Sequence, residues 1–242
     1  MKNLLLLLAL LWNPASQAAE TEVGTVVLLH GLARSAGSMS RMAEALEARG
    51  YHVCNIDYPS RDHAIEVLTT DFVAPAVKRC MADSGEPVHF VTHSLGGIVV
   101  RQLAASDSGL RIGRVVMLSP PNQGSEVVDK LGTLSLFQLI NGPAGNQLGT
   151  SADSLPRRLG TPAFEFGIIT GTRSVNPLLS LLIPGDDDGK VSVTRARLAG
   201  MKDFLAVRSS HPFIMKNRHT IEQTLRFLHD GTFEHNTTAD HG

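Results

Sequence analysis

The chain has 242 residues, 43% hydrophobic and 19% charged, enough to build one domain around a sizeable core. Its formal net charge is −1, and Lys and Arg form no stripe beyond the isolated pair Arg157–Arg158, so the electrostatic footprint of a nucleic-acid binder is missing. No zinc-finger signature, H-E-x-x-H motif or Cys/His cluster appears, and neither nucleic acid nor a metal is an expected partner.

Residues 1–18 read as a signal peptide. Lys2 supplies a positive start, Leu4 to Trp12 is an apolar run of nine, and Ser16-Gln17-Ala18 fits the small-x-small cleavage rule. A membrane anchor is the competing reading, but a span needs about twenty apolar residues. The mature chain, 19–242, is then expected in the periplasm or the medium as one domain. In such a compartment the two cysteines, Cys54 and Cys80, are free to pair.

From Gly24 onward short β-branched runs alternate with helical stretches, the pattern of a parallel sheet covered by helices. "GTVVLLHG" reads as a first buried strand, followed by a helix with Met39, Met42, Ala43 and Leu46 on one face. "YHVCNIDYP" is the second strand, and the helix after it carries Ile65, Leu68, Phe72 and Val77 toward Cys80, with a kink expected at Pro75. A bridge from Cys54 to Cys80 would staple this one crossover. "VHFVTHS" and "LGGIVVRQLAAS" form the third strand and its helix, and "IGRVVMLSPP" the fourth strand. The stretch 122–162 breaks the rhythm and is too long for a plain connection, so a lid or cap is expected there. "AFEFGIITG" and "DFLAVRSS" supply two more strands, Asn217 to Leu228 a closing helix, and the polar tail after Gly231 is expected to fray.

The chemistry is concentrated where strands end. Ser94 stands between the third strand and its helix, at the sheet edge where open α/β folds bind ligands. A sharp turn there needs small neighbours two residues to either side: Gly96 meets the requirement, while Thr92 is larger than the usual glycine. A plain serine N-cap is the bland alternative. A serine nucleophile needs a base and an acid further along the chain. His211 follows the sixth strand, and the acidic loop Asp186, Asp187, Asp188 follows the fifth, so the order is Ser, Asp, His. The N–H of Leu95 at the helix start and of Leu32 after His30-Gly31 are candidate oxyanion donors. His30 is expected to order that loop and His93 to point away from Ser94 as a scaffold residue. His219 and His229 are expected at the surface of the closing helix. An oxygen-ligand calcium loop at the three aspartates lacks the spacing of a helix–loop–helix calcium site.

Together "VVLLHGLARS", "VHFVTHSLGG", "MLSPPNQGSE", "GDDDGKVSV" and "SSHPFIM" resemble the α/β-hydrolase superfamily, in particular its bacterial lipases and esterases. The resemblance implies about six mostly parallel strands with helices on both faces, and no cofactor. It also selects Asp188, the residue directly before Gly-x-Val, as the acid that orients His211. The implied activity is hydrolysis of carboxylic esters through an acyl-enzyme on Ser94. Acyl transfer, amide cleavage and haloperoxidation on the same scaffold remain open. A non-catalytic lipid-binding module is the competing class, and it would not need Ser94, Asp188 and His211 together. The nearly uncharged stretches Leu131–Ile140 and "NPLLSLLIPG" are read either as core or as an acyl groove that makes transient contact with a lipid surface.

Overall fold

The computed structural model describes residues 24–81, 85–106 and 108–235; the expected signal peptide lies outside them. Six strands form one sheet: β1 (Thr25–Leu29), β2 (His52–Ile56), β3 (Val88–His93), β4 (Ile112–Leu118), β5 (Phe166–Gly171) and β6 (Asp203–Val207). Every pairing is parallel, in the order β2-β1-β3-β4-β5-β6. The first four strands appear in the order 2-1-3-4, so the winding direction reverses between β1 and β3. That reversal opens a crevice at the carboxyl ends of these two strands.

Both faces of the sheet are covered, which is why its central strands are unbroken apolar runs rather than alternating ones. In β1, Val26 and Leu28 pack with α1 (Ser40–Glu47) and the closing helix, while Val27 and Leu29 pack on the other side with the chain from Ile65 onward. Helical turn α2 (Ile65–Val67) runs through a π-helical segment, Leu68–Val73, into α3 (Ala74–Met81). The distortion therefore precedes Pro75 instead of falling on it. The helix behind β3, α4 (Leu95–Ala105), is buried along most of its length. The disulfide Cys54–Cys80 joins edge strand β2 to the end of α3.

The stretch 122–162 folds as three short helices: α5 (Glu126–Leu131), α6 (Ser135–Asn146), kinked at Gly142, and α7 (Leu155–Arg158). Arg101 of α4, almost wholly buried, ties both ends of this insertion to the sheet. Its guanidinium donates to the Asn122 carbonyl and side chain at 3.1 Å and to the carbonyls of Pro156 and Gly160 at 2.7 and 2.8 Å. Burial lowers its pKa to about 10, so it stays charged at neutral pH. The insertion is not uniformly core: Leu134 and Leu139 are 54% and 79% exposed.

Two further turns, α8 (Pro177–Ser180) and α9 (Val193–Ala196), lie between β5 and β6. Closing helix α10 (Arg218–Asp230) is capped by the Asn217 side chain, which accepts from Thr220 N, and ends at Gly231 in the left-handed conformation. The frayed tail is corrected by the structure as far as His235. Phe233 is buried against Phe227, its amide donates to Asp203, and the Glu234 amide donates to Gln223. The polar composition of the tail hid one aromatic anchor.

Closing a loop of this length, with a sequence separation of 26, contributes about 3 kcal/mol by restricting the unfolded chain. Replacing Cys54 and Cys80 together by Ser should lower unfolding free energy in urea by about that amount. Alkylation of the native protein before reduction should add no mass at either position.

Candidate active site

Ser94 occupies the turn between β3 and α4 with φ 51° and ψ −117°, a conformation that costs a non-glycine residue about 1–3 kcal/mol. Packing holds it there. Its amide donates to the Leu118 carbonyl at 2.9 Å and its carbonyl accepts from the Gly97 amide at 2.9 Å. A Cβ at Gly96 would lie 2.5 Å from the Leu29 carbonyl oxygen, so only glycine lets α4 come this close to β1. The unexpected Thr92 is fully buried. An added Cβ at Gly97 would lie 3.0 Å from Pro120 Cβ, so the first turn of α4 also packs closely on the segment after β4.

The base and acid arrive from the far half of the sheet. His211 Nε2 lies 2.9 Å from Ser94 Oγ, and His211 Nδ1 lies 2.8 Å from Asp188 Oδ2. The Asp188 carbonyl also accepts from the His211 amide at 2.9 Å, so one residue fixes both the backbone and the ring of the other. Asp188 Oδ1 accepts from the amides of Lys190 and Val191 at 3.1 and 3.0 Å. Burial raises the Asp188 pKa, but the charge of His211 and hydrogen bonds from His211, Ser119 and Val191 outweigh it. The carboxyl therefore ends below the usual aspartate range. An ionised Asp188 accepts the Nδ1 proton, which leaves Nε2 as acceptor for the Ser94 hydroxyl. Of the other two aspartates, Asp187 accepts from Ser180 Oγ and the Gly189 amide, and Asp186 is exposed. The structure brings only Asp188 to His211.

His30 is buried and stacked on Tyr58 at 4.2 Å. Burial lowers its pKa despite the opposing effects of Gly31 and Asp57. The neutral ring donates from Nδ1 to the Gly31 carbonyl and accepts the Tyr58 amide at Nε2, so it orders the loop that carries Leu32, as expected. Leu32 lines the same cavity as Ser94, and Leu95 is the first residue of α4.

His93 is, as expected, a packed, hydrogen-bonded scaffold residue. It is buried beside the site, its ring 4.9 Å from that of His211, and its Nε2 lies 3.0 Å from the His211 carbonyl. Burial and the His211 charge push its pKa well down, so it is a neutral donor that props the His211 backbone. His219 and His229 are exposed on α10, as expected.

Two residues that sequence reasoning passed over complete the arrangement. Ser119, directly after β4 with φ 47°, accepts from the Gly171 amide at 3.4 Å and helps hold the Asp188 carboxyl below its usual range. Gly171, ending β5, lies under both converging loops: a Cβ there would sit 2.3 Å from the Ser209 carbonyl and 2.9 Å from Asp188 Cβ. Neither carried a local signal, since each matters only through chain segments far away in sequence.

Ser94 and His211 face a cavity of about 420 Å³ with an apolar wall from Val127, Val128, Leu131, Ile140 and Leu148 of the insertion. A larger depression, about 780 Å³, lies along α10 among Arg49, Glu222, Arg226 and Asp230, with no nucleophile–base pair among its lining residues.

A parallel six-stranded sheet with a strained serine at its switch point, and a histidine and aspartate hydrogen-bonded in line behind it, defines an α/β-hydrolase architecture. The chain belongs to the alpha/beta hydrolase family, whose sequence model matches residues 26–230. No curated protein matches it in sequence. Among solved structures it is similar to the mature lipase BlEst2 of Bacillus licheniformis, with TM-score 0.69 and 21% identity over 84% of this chain and 91% of that one. A metagenomic carboxyl esterase aligns with TM-score 0.61 and 19% identity over 80% and 66% of the two chains. A monoacylglycerol lipase of Paleococcus ferrophilus gives 0.52 and 19% over 85% and 92%. At these identities the likeness is one of fold.

Gly171→Ala should drive Ser209 and Asp188 apart. The expected result is a loss of about 1–3 kcal/mol in stability with an activity loss larger than the unfolded fraction explains. Urea unfolding and specific activity of the folded protein, measured side by side, check this.

Proposed function

We propose that the protein is an exported serine hydrolase of carboxylic esters, of the lipase or esterase kind. The single observation that supports this best is the continuous chain Ser94 Oγ, His211 Nε2, His211 Nδ1, Asp188 Oδ2, at 2.9 and 2.8 Å, opening on a largely apolar cavity. Ser94 Oγ attacks the ester carbonyl carbon while His211 Nε2 takes its proton. Asp188 stabilises the imidazolium so formed, and the amides of Leu32 and Leu95 receive the negative oxygen. The C–O bond then breaks, and His211 returns the proton to the leaving alcohol. Water, deprotonated by the same histidine, attacks the acyl-serine and releases the carboxylic acid. The apolar wall suits an acyl chain better than a charged acid group.

A lipid-surface contact is supported by the apolar side chains around the mouth. Leu139, Leu178 and Leu181 are each more than three-quarters exposed, and the Lys130 ammonium ties α5 to the Leu182 carbonyl, bringing the two apolar stretches together. Exposed leucine area of this kind is favourable against a lipid phase at about 25 cal/mol per Å².

Ser94→Ala and His211→Ala should each lower kcat on a p-nitrophenyl ester by roughly 10⁴- to 10⁶-fold with the fold retained. Asp188→Asn should cost on the order of 10⁴-fold, whereas Asp186→Asn should be nearly neutral. Ready turnover by folded Ser94→Ala would remove the mechanism, and the reverse aspartate ranking would reassign the acid.

Hydrolysis of a long-chain ester should rise disproportionately once the substrate passes its solubility limit. Leu139→Ser with Leu181→Ser should flatten that rise while short soluble esters are cleaved as before. A single hyperbola through the solubility limit would instead make the rim irrelevant to catalysis.

A further inference from the structure

The cavity has a second character that the ester reaction itself does not use. Arg34, five residues after the end of β1, and Lys190, two residues after Asp188, both line it. Among the described residues of the lining, the one carboxylate is that of Asp188, which is already engaged by His211. Among the described residues no carboxylate oxygen lies within 4.0 Å of either basic group. Asp57 and Asp62 share a neighbouring groove with Arg34 but stand outside that distance; Asp57 accepts from the Ala36 amide. Two cations thus converge on one concave site in a chain whose overall charge is −1.

The two charges also act on their surroundings. Desolvation at the mouth and the Arg34 charge hold the Lys190 ammonium below the usual lysine range, with Asp188 alone pulling the other way. Both charges also help keep His93 neutral. Both residues are exposed, and a like-charge pair with no carboxylate partner draws an anion to the mouth of the cleft. Arg offers a planar fork and Lys a point charge, the usual pair of devices for holding a phosphate. A phosphate monoester carries about −1.5 to −2 at neutral pH and matches two cations, whereas a carboxylate would leave one of them unpaired.

We infer that Arg34 and Lys190 form an anion subsite, and that the substrates of this hydrolase are acyl esters carrying a phosphate group near the scissile bond. This rests on the ester-hydrolase reading above. The acyl chain lies along Val127, Val128, Leu131, Ile140 and Leu148, and the phosphate meets the two cations across Ser94.

The test compares decanoate release from monodecanoylglycerol and from its phosphate monoester, both below their aggregation concentrations and at low ionic strength. Binding of decyl phosphate and of decanoate is measured alongside by calorimetry, independently of turnover. The wild type should favour the phosphate ester by about tenfold or more in kcat/KM, mainly through KM. Arg34→Gln, Lys190→Gln and the double variant should progressively abolish that ratio, and added salt should shrink it in the wild type. Equal kcat/KM for the two esters would overturn the subsite and leave the hydrolase reading intact. Decanoate binding as tight as decyl phosphate would overturn the assignment to phosphate. Failure to cleave either ester, with decyl phosphate still bound through Arg34 and Lys190, would instead overturn the hydrolase reading and keep the subsite. Absence of both cleavage and binding would overturn both.

Discussion

The whole site depends on one backbone conformation that Ser94 does not prefer. A residue with a side chain at φ 51° and ψ −117° returns to a commoner conformation unless its neighbours leave no room. Here β3 and β4 hold the amide, the first turn of α4 holds the carbonyl, and Gly96 lies against the Leu29 carbonyl so that the helix cannot back away. Ala33 and Ser119 are the other two non-glycine residues with positive φ among those described. They follow β1 and β4, so all three strained residues lie at the carboxyl edge of neighbouring strands. The core of buried Val, Ile and Leu behind them is what this strain is set against.

The electrostatics follow from the same convergence. Asp188 could not remain ionised in its buried position without the hydrogen bonds aimed at it, and two of those come from its own loop. Around it, His30 and His93 are kept neutral by burial, so His211 is the imidazole among these three that lies between a hydroxyl and a carboxylate. Burial holds two histidines neutral, while the third is hydrogen-bonded to an ionised partner.

Much of this was legible in the chain. The strands of the sheet, the serine turn and His211 after the sixth strand are local signals, each set by a few consecutive residues, whereas the choice of Asp188 among three neighbouring aspartates came from the family resemblance. What was not legible depends on distant segments meeting. Gly171 looks like an ordinary strand end until the loops of Asp188 and Ser209 cross it. Phe233 docks on Phe227 in spite of the polar residues around it.

The Arg101 guanidinium has a consequence for how the molecule comes apart. It belongs to the helix that begins at Ser94, yet its partners are carbonyls at Asn122, Pro156 and Gly160, the two ends of the segment that walls the cavity. If that segment opened alone, a buried cation would lose several charge-assisted bonds at once, a cost of several kcal/mol. Amide protons next to Asn122 and Pro156 are therefore expected to exchange on the slow timescale of global unfolding.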